Sequence, residues 1–287
     1  MNKALLIFIL PICILAACNN PAARENAAIS AADTIKIVSL NGTVSEILAG
    51  LGLETNIVGV DVTSTYPASL QSKPKLGHNR NIPAEGVLAL HPDVVVGLSR
   101  DISPALASQF KDAGVRLLLF EHEYSPEGAR NLIRAVADSL QAPAAKADSL
   151  IGQLDADLAA APPATEPRPK VLFIYARGTG TMMVAGEDSN IEDIIELAGG
   201  QNAVSGFKDF KPLTAESLIK ANPDVVLLFD SGLQSLGGSE GLMKVQGMAQ
   251  TNAGKNKKII EMDGQLLTGF GPRLGKAVSE LSEKIRN

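Results

Sequence analysis

Ala84-Glu85 and Pro92-Asp93-Val94-Val95 recur later in the chain as Ala215-Glu216 and Pro223-Asp224-Val225-Val226, at an offset of 131 residues. This period is far longer than the repeat unit of a solenoid. It fits two domain-sized halves that each bury a core of their own. The sequence therefore predicts two similar lobes, and the cleft between them is the natural place for a ligand.

Short apolar runs alternate with helical patterns on both sides of this duplication. Strands are predicted at 35–40, 57–61, 94–98 and 116–121 in the first half, and at 170–176, 225–229 and 258–262 in the second. Helices are predicted between them, at 45–51, 84–90, 104–113, 191–197, 215–220 and 273–284. The alternation predicts an α/β fold in which each lobe has a parallel sheet covered by helices.

The segment between the two halves has apolar residues at helical spacing over 125–140 and 144–158, and ends in a Pro-rich stretch. A helical connection would limit the opening of the lobes to small motions. We therefore expect an N-terminal lobe at 34–124, a helical linker at 125–162 and a C-terminal lobe at 163–287.

The N-terminal segment predicts export from the cytoplasm. Lys3 precedes an apolar run at 4–14, which is short for a membrane span, and Leu15-Ala16-Ala17-Cys18 follows. This pattern is typical of a signal peptide covering residues 1–17. Leu-Ala-Ala before a cysteine resembles a bacterial lipobox, in which Cys18 is lipidated and becomes the first mature residue. A plain signal peptide with an incidental cysteine is the alternative. Residues 18–33 predict a flexible tether.

Composition narrows the function classes. The 287 residues include 45% hydrophobic residues and carry a net charge of −5, which suits two packed lobes. Because no basic tract is present, nucleic acid is not expected as a partner. The only cysteine besides Cys18 is Cys13, which lies inside the predicted signal, so neither a disulfide nor a cysteine metal cluster is expected. No later stretch could cross a bilayer, so membrane attachment is expected through the lipid alone.

Motifs for catalysis are absent from the sequence. It contains no G-x-S-x-G, H-E-x-x-H or G-K-[ST] pattern, and Gly269-Phe270-Gly271-Pro272 departs from a dinucleotide-binding fingerprint. His122-Glu123 follows a predicted strand and is interpreted as a loop pair rather than an acid–base pair. We therefore expect a binding protein and not an enzyme. A surface-anchored enzyme is the alternative from a different class, and it would need a nucleophile–base pair.

Two short motifs could hold a metal centre. His78-Asn79-Arg80 and Tyr175-Ala176-Arg177 each combine a metal-ligating side chain with an arginine two residues later, and each lies early in its half. Ligands of open parallel sheets sit beyond the carboxyl ends of the strands, so both motifs can face the cleft. Ferric iron favours phenolate, and a nearby guanidinium stabilises that charged form. The alternatives to metal binding are that the histidine is an exposed loop residue and that the tyrosine only packs. The spacing of these motifs alone does not identify the ligand as haem.

A family resemblance adds to this interpretation. The segments that carry it are the lipobox, residues 37–48, 58–61 and 63–67, the duplicated Ala-Glu and Pro-Asp pairs, and residues 267–273. Together they resemble the hemin-binding lipoproteins of haem ABC importers, which are related to vitamin B12 and siderophore receptors. The resemblance implies two Rossmann-like lobes joined by a long linking helix. It also implies a monomeric, extracytoplasmic receptor, in the periplasm or at the cell surface, that binds ferric haem and delivers it to a permease dimer with its ATPase. A ferric-siderophore or cobalamin receptor on the same scaffold is the alternative.

The same resemblance implies the metal ligands. Many hemin receptors carry tyrosine where this chain has His78, and this chain is closer to the arrangement with histidine in the first lobe and Tyr-x-Arg in the second. Axial ligation of the iron by His78 and Tyr175, with Arg177 bonded to the phenolate, is therefore expected. Ligation from one side, or two stacked haems, stays open. Tyr66 is a rival ligand and Tyr124 a weaker one.

The resemblance also implies roles outside the iron centre. Arg80 and Arg273 are expected to bind haem propionates, because a guanidinium matches a carboxylate. Phe270 is expected either to pack on the haem edge or to belong to the core. Glu85 and Glu216 match the acidic residues that such receptors present to a permease, although both would also complement a helix dipole.

Overall fold

The computed structural model describes residues 35–78, 81–164 and 166–287, so the predicted signal, the tether with Cys18, and Arg80 lie outside the described residues. The first lobe has a four-stranded parallel sheet in the order β2-β1-β3-β4. Its elements are β1 (Ile37–Ser39), α1 (Gly42–Gly50), β2 (Ile57–Val60), α2 (Ala84–Leu88), β3 (Val94–Leu98), α3 (Pro104–Asp112) and β4 (Arg116–Phe120).

Two helices connect this sheet to the second one. They are α4 (Pro126–Ser139) and α5 (Ala144–Ala160). Near its middle, α5 approaches the first lobe, because a Cβ built at Gly50 would lie 2.7 Å from the Leu150 side chain. Near its end it approaches the second lobe, because a Cβ at Gly275 would lie 2.5 Å from the Asp157 side chain. The predicted linking helix is confirmed as α5.

The second lobe has a six-stranded sheet with the path β10-β9-β5-β6-β8, and β7 pairs with β5. Its elements are β5 (Lys170–Ala176), β6 (Met182–Ala185), α6 (Asn190–Leu197), β7 (Gln201–Asn202), β8 (Phe210–Pro212), α7 (Ala215–Ala221), β9 (Val225–Phe229), α8 (Asp230–Ser235), α9 (Gly238–Met243), α10 (Asn252–Asn256), β10 (Ile259–Met262), α11 (Gly264–Thr268) and α12 (Leu274–Arg286). In the part of the chain that the structure describes, no helix is long and apolar enough to cross a membrane.

The unbroken apolar runs of the strands follow from burial on both faces of the sheet. In β5, Phe173 packs into one core cluster and its neighbour Leu172 into another, and Leu227 and Leu228 of β9 divide in the same way. Because successive side chains of a strand point to opposite faces, a sheet covered by helices on both sides needs apolar residues at every position.

The duplicated Pro-Asp motif has the same structural role in both lobes. Asp93 Oδ2 accepts a hydrogen bond from the backbone N–H of Lys36 at 2.7 Å, just before β1. Asp224 Oδ2 accepts one from the N–H of Lys170 at 3.0 Å, at the start of β5. Each aspartate thus fixes the start of the neighbouring parallel strand, which explains why the motif directly precedes β3 and β9.

One prediction about the sheets was wrong. Both sheets were expected to be parallel, but β6 pairs antiparallel with β5 and with β8. The chain reverses directly after β5, where the N–H of Arg177 donates to the carbonyl of Thr181 at 2.9 Å and Gly178 adopts a φ of +69°. Glycine takes this left-handed conformation without steric cost, so a hairpin that was not predicted forms between β5 and the predicted helix α6.

Candidate functional site

A cleft of about 530 Å³ opens between the two lobes. Its lining residues directly follow several strands: Asn41 after β1, Arg100 after β3, His122 after β4, Asp230 after β9 and Asp263 after β10. The cleft therefore lies at the carboxyl ends of the strands, where parallel sheets bind their ligands.

The N-terminus of α1 forms one wall of this cleft. Asn41 caps the helix, because its Oδ1 accepts from the N–H of Thr43 at 2.9 Å, while its Nδ2 donates to Asp101 Oδ2 at 3.1 Å. The hydroxyl of Thr43 donates across the lobes to the carbonyl of Gly269 at 2.7 Å. Both side chains line the cleft.

An aromatic and cationic group lies at the end of β4. His122 Nε2 is 3.0 Å from the Phe270 carbonyl, which can only accept, so Nε2 carries the proton. His122 Nδ1 is then the acceptor for Arg100 Nη2 at 3.3 Å. The Arg100 guanidinium also stacks 4.4 Å from the centre of the Tyr124 ring. Burial and, to a lesser degree, the charge of Arg100 lower the pKa of His122, against the effect of the Phe270 carbonyl, so the imidazole is neutral at pH 7.

His78 is exposed on the loop after β2 and does not line the cleft. Its carbonyl accepts from the N–H of Asn81 at 2.7 Å. The carbonyl of the preceding Gly77 accepts from Val62 at 3.0 Å, and the next residue, Thr63, lines the cleft. The backbone before His78 is therefore bonded to the residue that precedes the cleft residue Thr63.

Tyr175 is half-buried near the end of β5. Its ring contacts Phe229 edge to face at 6.3 Å between centroids, and Phe229 lines the cleft. The guanidinium carbon of Arg177 lies 5.5 Å from the Tyr175 ring centre. The alternation of the extended chain thus brings Arg177 to the same side as Tyr175, one aromatic ring away from the cleft.

Arg273 lies in a contact between the lobes. Its Nη2 forms an ion pair with Glu46 Oε2 at 2.8 Å, and the two side chains are 18% and 8% exposed. The guanidinium also stacks 3.7 Å from the centre of the Tyr66 ring, which is 45% exposed. Burial raises the pKa of Glu46, although Arg273 opposes this. Arg273 does not line the cleft, so its predicted role with a propionate has no geometric support here.

Gln265 reinforces the same contact from the second lobe. Its Oε1 accepts from the N–H and the hydroxyl of Thr65, at 2.8 and 2.7 Å, and from the N–H of Tyr66 at 2.9 Å. Its Nε2 donates to the carbonyl of Gly42 at 2.9 Å and to Glu46 Oε2 at 3.3 Å. One side chain therefore joins α11 to two segments of the first lobe, helix α1 and the loop at Thr65 and Tyr66.

The remaining predicted residues lie away from the cleft surface. Phe270 is 1% exposed and packs in the second-lobe core, with its ring 5.3 Å from that of Tyr124. Of its two predicted roles, the geometry favours core packing. Glu85 and Glu216 are exposed in the first turns of α2 and α7.

Sequence reasoning missed Arg100, Glu46 and Gln265. Arg100 could have been predicted as a cleft residue, because it is the second residue after a buried strand and therefore lies at the carboxyl edge of the sheet. Glu46 and Gln265 lie 219 positions apart, and nothing local to either residue indicates their contact.

A family model described as "Periplasmic binding protein" matches residues 37–266. The structure of the periplasmic heme-binding protein RhuT from Roseiflexus sp. RS-1, in its apo form, is similar with a TM-score of 0.82 and 39% identity, over 88% of this chain and 97% of that one. The periplasmic heme-binding protein BhuT in complex with two hemes gives a TM-score of 0.80 and 34% identity, over 87% and 97% of the two chains. YvrC, an uncharacterized ABC transporter substrate-binding lipoprotein of Bacillus subtilis (strain 168), is 29% identical over 87% of this chain and 79% of its own length.

Proposed function

Because this chain belongs to the periplasmic binding protein family, we propose that it is an extracytoplasmic receptor that binds ferric haem between its lobes and delivers it to an ABC permease. The observation that carries the proposal is the Tyr175–Arg177 pair, which lies against a cleft residue in a chain whose similar solved structures are heme-binding proteins. A phenol beside a guanidinium is suited to ferric iron, because the positive charge stabilises phenolate.

We propose that His78 and Tyr175 are the axial ligands, one from each lobe. Neither side chain lines the cleft. His78 follows Gly77, whose carbonyl accepts a hydrogen bond from Val62, the residue before the cleft residue Thr63. The Tyr175 ring contacts Phe229, which lines the cleft. The porphyrin would then have one edge in the cleft and its iron between these two side chains. Arg177 would hold the phenolate oxygen, and Arg80 is proposed to bind a propionate.

Hemin titration followed by absorption spectroscopy tests the ligand pair. Tyr175→Phe is expected to remove the tyrosinate charge-transfer band and shift the Soret band, whereas Tyr66→Phe, its matched control, is expected to leave both unchanged. If Tyr66→Phe removes the band and Tyr175→Phe leaves it unchanged, the ligand is Tyr66.

The matched histidine pair is His78→Asn and His91→Asn. His91 has a φ of 48°, and its counterpart in the second lobe is an asparagine, Asn222, with a φ of 41°. Asparagine should therefore fit the backbone at position 91. A changed Soret band is expected for His78→Asn alone. If both spectra match the wild type, His78 is not a ligand.

Docking to the permease is proposed for Glu85 and Glu216. Both are exposed at corresponding positions of α2 and α7, so each lobe presents one carboxylate. The variant with Glu85→Lys and Glu216→Lys is expected to lose haem uptake in cells and to keep hemin affinity in solution. Glu240→Lys is the control, because Glu240 is also exposed in the first turn of a helix. If the double variant takes up as much haem as the Glu240→Lys control, Glu85 and Glu216 do not dock the receptor to the permease.

Attachment to the membrane is proposed through lipid on Cys18, with residues 18–33 as a tether and the lobes at 34–124 and 163–287. Metabolic labelling of the full-length chain with an alkyne fatty acid is expected to tag the wild type and not Cys18→Ser. Equal labelling of both chains would refute lipidation at this residue.

A further inference from the structure

The positive charge of the cleft wall is concentrated in one side chain. Among the described residues that line the cleft, Arg100 is the only arginine or lysine. It lies in a short 3₁₀ turn, Ser99–Asp101, that directly follows β3. Three aspartates, Asp101, Asp230 and Asp263, line the same cleft, so Arg100 can serve an anionic group of a ligand only by direct contact.

The guanidinium is held in place by two neighbours. His122 Nδ1 accepts from Arg100 Nη2 at 3.3 Å, and the imidazole is in turn fixed by the Phe270 carbonyl at 3.0 Å. The Tyr124 ring supports the guanidinium plane at 4.4 Å. Within the described part of the chain, the bond to His122 is the only hydrogen bond of the Arg100 side chain, so most of its five N–H donors can bond a ligand.

The carboxylates of the cleft do not neutralise Arg100 through hydrogen bonds. Asp101 Oδ2 accepts from Asn41 Nδ2 at 3.1 Å, Asp230 Oδ1 from the N–H of Ser231 at 2.6 Å, and Asp263 Oδ1 from the N–H of Leu266 at 2.7 Å. Asp230 and Asp263 also lie at the N-termini of α8 and α11, where the helix dipole favours negative charge. Each carboxylate thus bonds a donor other than Arg100, and no ion pair to Arg100 is present among the described residues.

We infer that Arg100 binds one carboxylate of the tetrapyrrole in the cleft, and that His122 and Tyr124 are its positioning residues. Two parallel N–H donors of a guanidinium match the two oxygens of a carboxylate. This inference rests on the proposed haem function and extends it, because it orients the ring: a propionate edge, rather than a vinyl edge, faces the cleft wall at Arg100.

The test compares hemin with iron(III) protoporphyrin IX dimethyl ester, which keeps the iron and the ring and has no free carboxylates. The wild type is expected to bind hemin more tightly than the diester by about tenfold or more, since a hydrogen bond between charged groups is worth this much. Arg100→Gln should reduce that preference to the share contributed by the second propionate, which is proposed to bind Arg80, and keep the Soret position of bound hemin. Arg100→Lys should give an intermediate preference, because lysine keeps the charge and loses the bidentate geometry.

Positioning by His122 is tested through the same ratio. His122→Phe keeps a planar ring and removes the acceptor for Arg100, so a reduced hemin preference with an unchanged Soret band is expected. The ratio of two affinities on one variant is insensitive to a partial loss of folded protein. The control is Arg177→Gln, which should change the Soret band and keep the preference.

The outcomes separate this inference from the proposed function. If Arg100→Gln keeps the full preference for hemin over the diester, or if the wild type has no such preference, the Arg100 assignment is overturned while haem binding stands. If the wild type binds neither compound, the proposed function fails and the inference fails with it.

Discussion

Removing the Arg273 guanidinium should destabilise the protein strongly, because it leaves Glu46 buried without its charged partner. Both side chains are largely buried, at 18% and 8% exposure, so solvent screens the pair little. Breaking such a pair from one side costs about 3–5 kcal/mol. We expect the low end for Arg273→Met, about 3 kcal/mol, because burial already raises the pKa of Glu46 and protonation relieves the lost contact.

The measurement is thermal unfolding followed by circular dichroism at pH 7 and pH 5. For a chain of this size, about 3 kcal/mol corresponds to a fall in Tm of about 6–12 °C. The loss should be smaller at pH 5. The unpaired Glu46 has a folded-state pKa above its unfolded value, so stability is lost as pH rises through that window and regained as pH falls.

Two further variants make the result decisive. Arg130→Met removes a more exposed ion pair with Asp155 and Glu127, so it should cost no more than about 1 kcal/mol. The double variant Glu46→Leu with Arg273→Met removes both charges and should recover most of the loss. The reasoning is refuted if Arg273→Met costs no more than Arg130→Met, or if the effects of the two substitutions simply add.

Three other predictions concern the lobe contact, the cleft and the duplicated motif. Gln265→Leu should cost about 2–3 kcal/mol in urea unfolding, because it removes five hydrogen bonds between the lobes; an unchanged midpoint would contradict this. The lowered pKa of His122 should make the wild type lose stability as pH falls below about 6.5, and a flatter pH profile is expected for His122→Gln; identical profiles would exclude His122 as the source. Asp93→Ala should cost about 1 kcal/mol in thermal unfolding, since it removes the bond to the N–H of Lys36. Asp224→Ala should cost about 2 kcal/mol, because Asp224 accepts from the N–H of Lys170 and also from Asn252 Nδ2; a smaller loss for Asp224→Ala than for Asp93→Ala would contradict this.

The sequence was sufficient for the architecture because that information is local and repeated. The bounds of β3, β5 and β9 match the predicted strands, since each is an unbroken apolar run flanked by turn residues. The antiparallel β6 and β8 were missed. They are four and three residues long, and a hairpin through Gly178 leaves no apolar periodicity to detect.

The site was less predictable because its contacts join distant parts of the chain. Arg273 was expected at a propionate, but it pairs with Glu46, 227 positions earlier, and stacks on Tyr66. The partner of a charged side chain is set by how the lobes pack, which local sequence does not encode. Arg177 directly follows β5 and lies on the same side of the extended chain as Tyr175, so the alternation could predict their contact.

Equilibrium titration of the chain starting at Asn19 with hemin and, separately, with cyanocobalamin tests the central claim most directly. The account predicts a saturable Soret change with hemin and no binding of the corrinoid at the same concentrations. Saturable binding of cyanocobalamin, with only non-saturable adsorption of hemin, would contradict it and assign the cleft to a corrinoid.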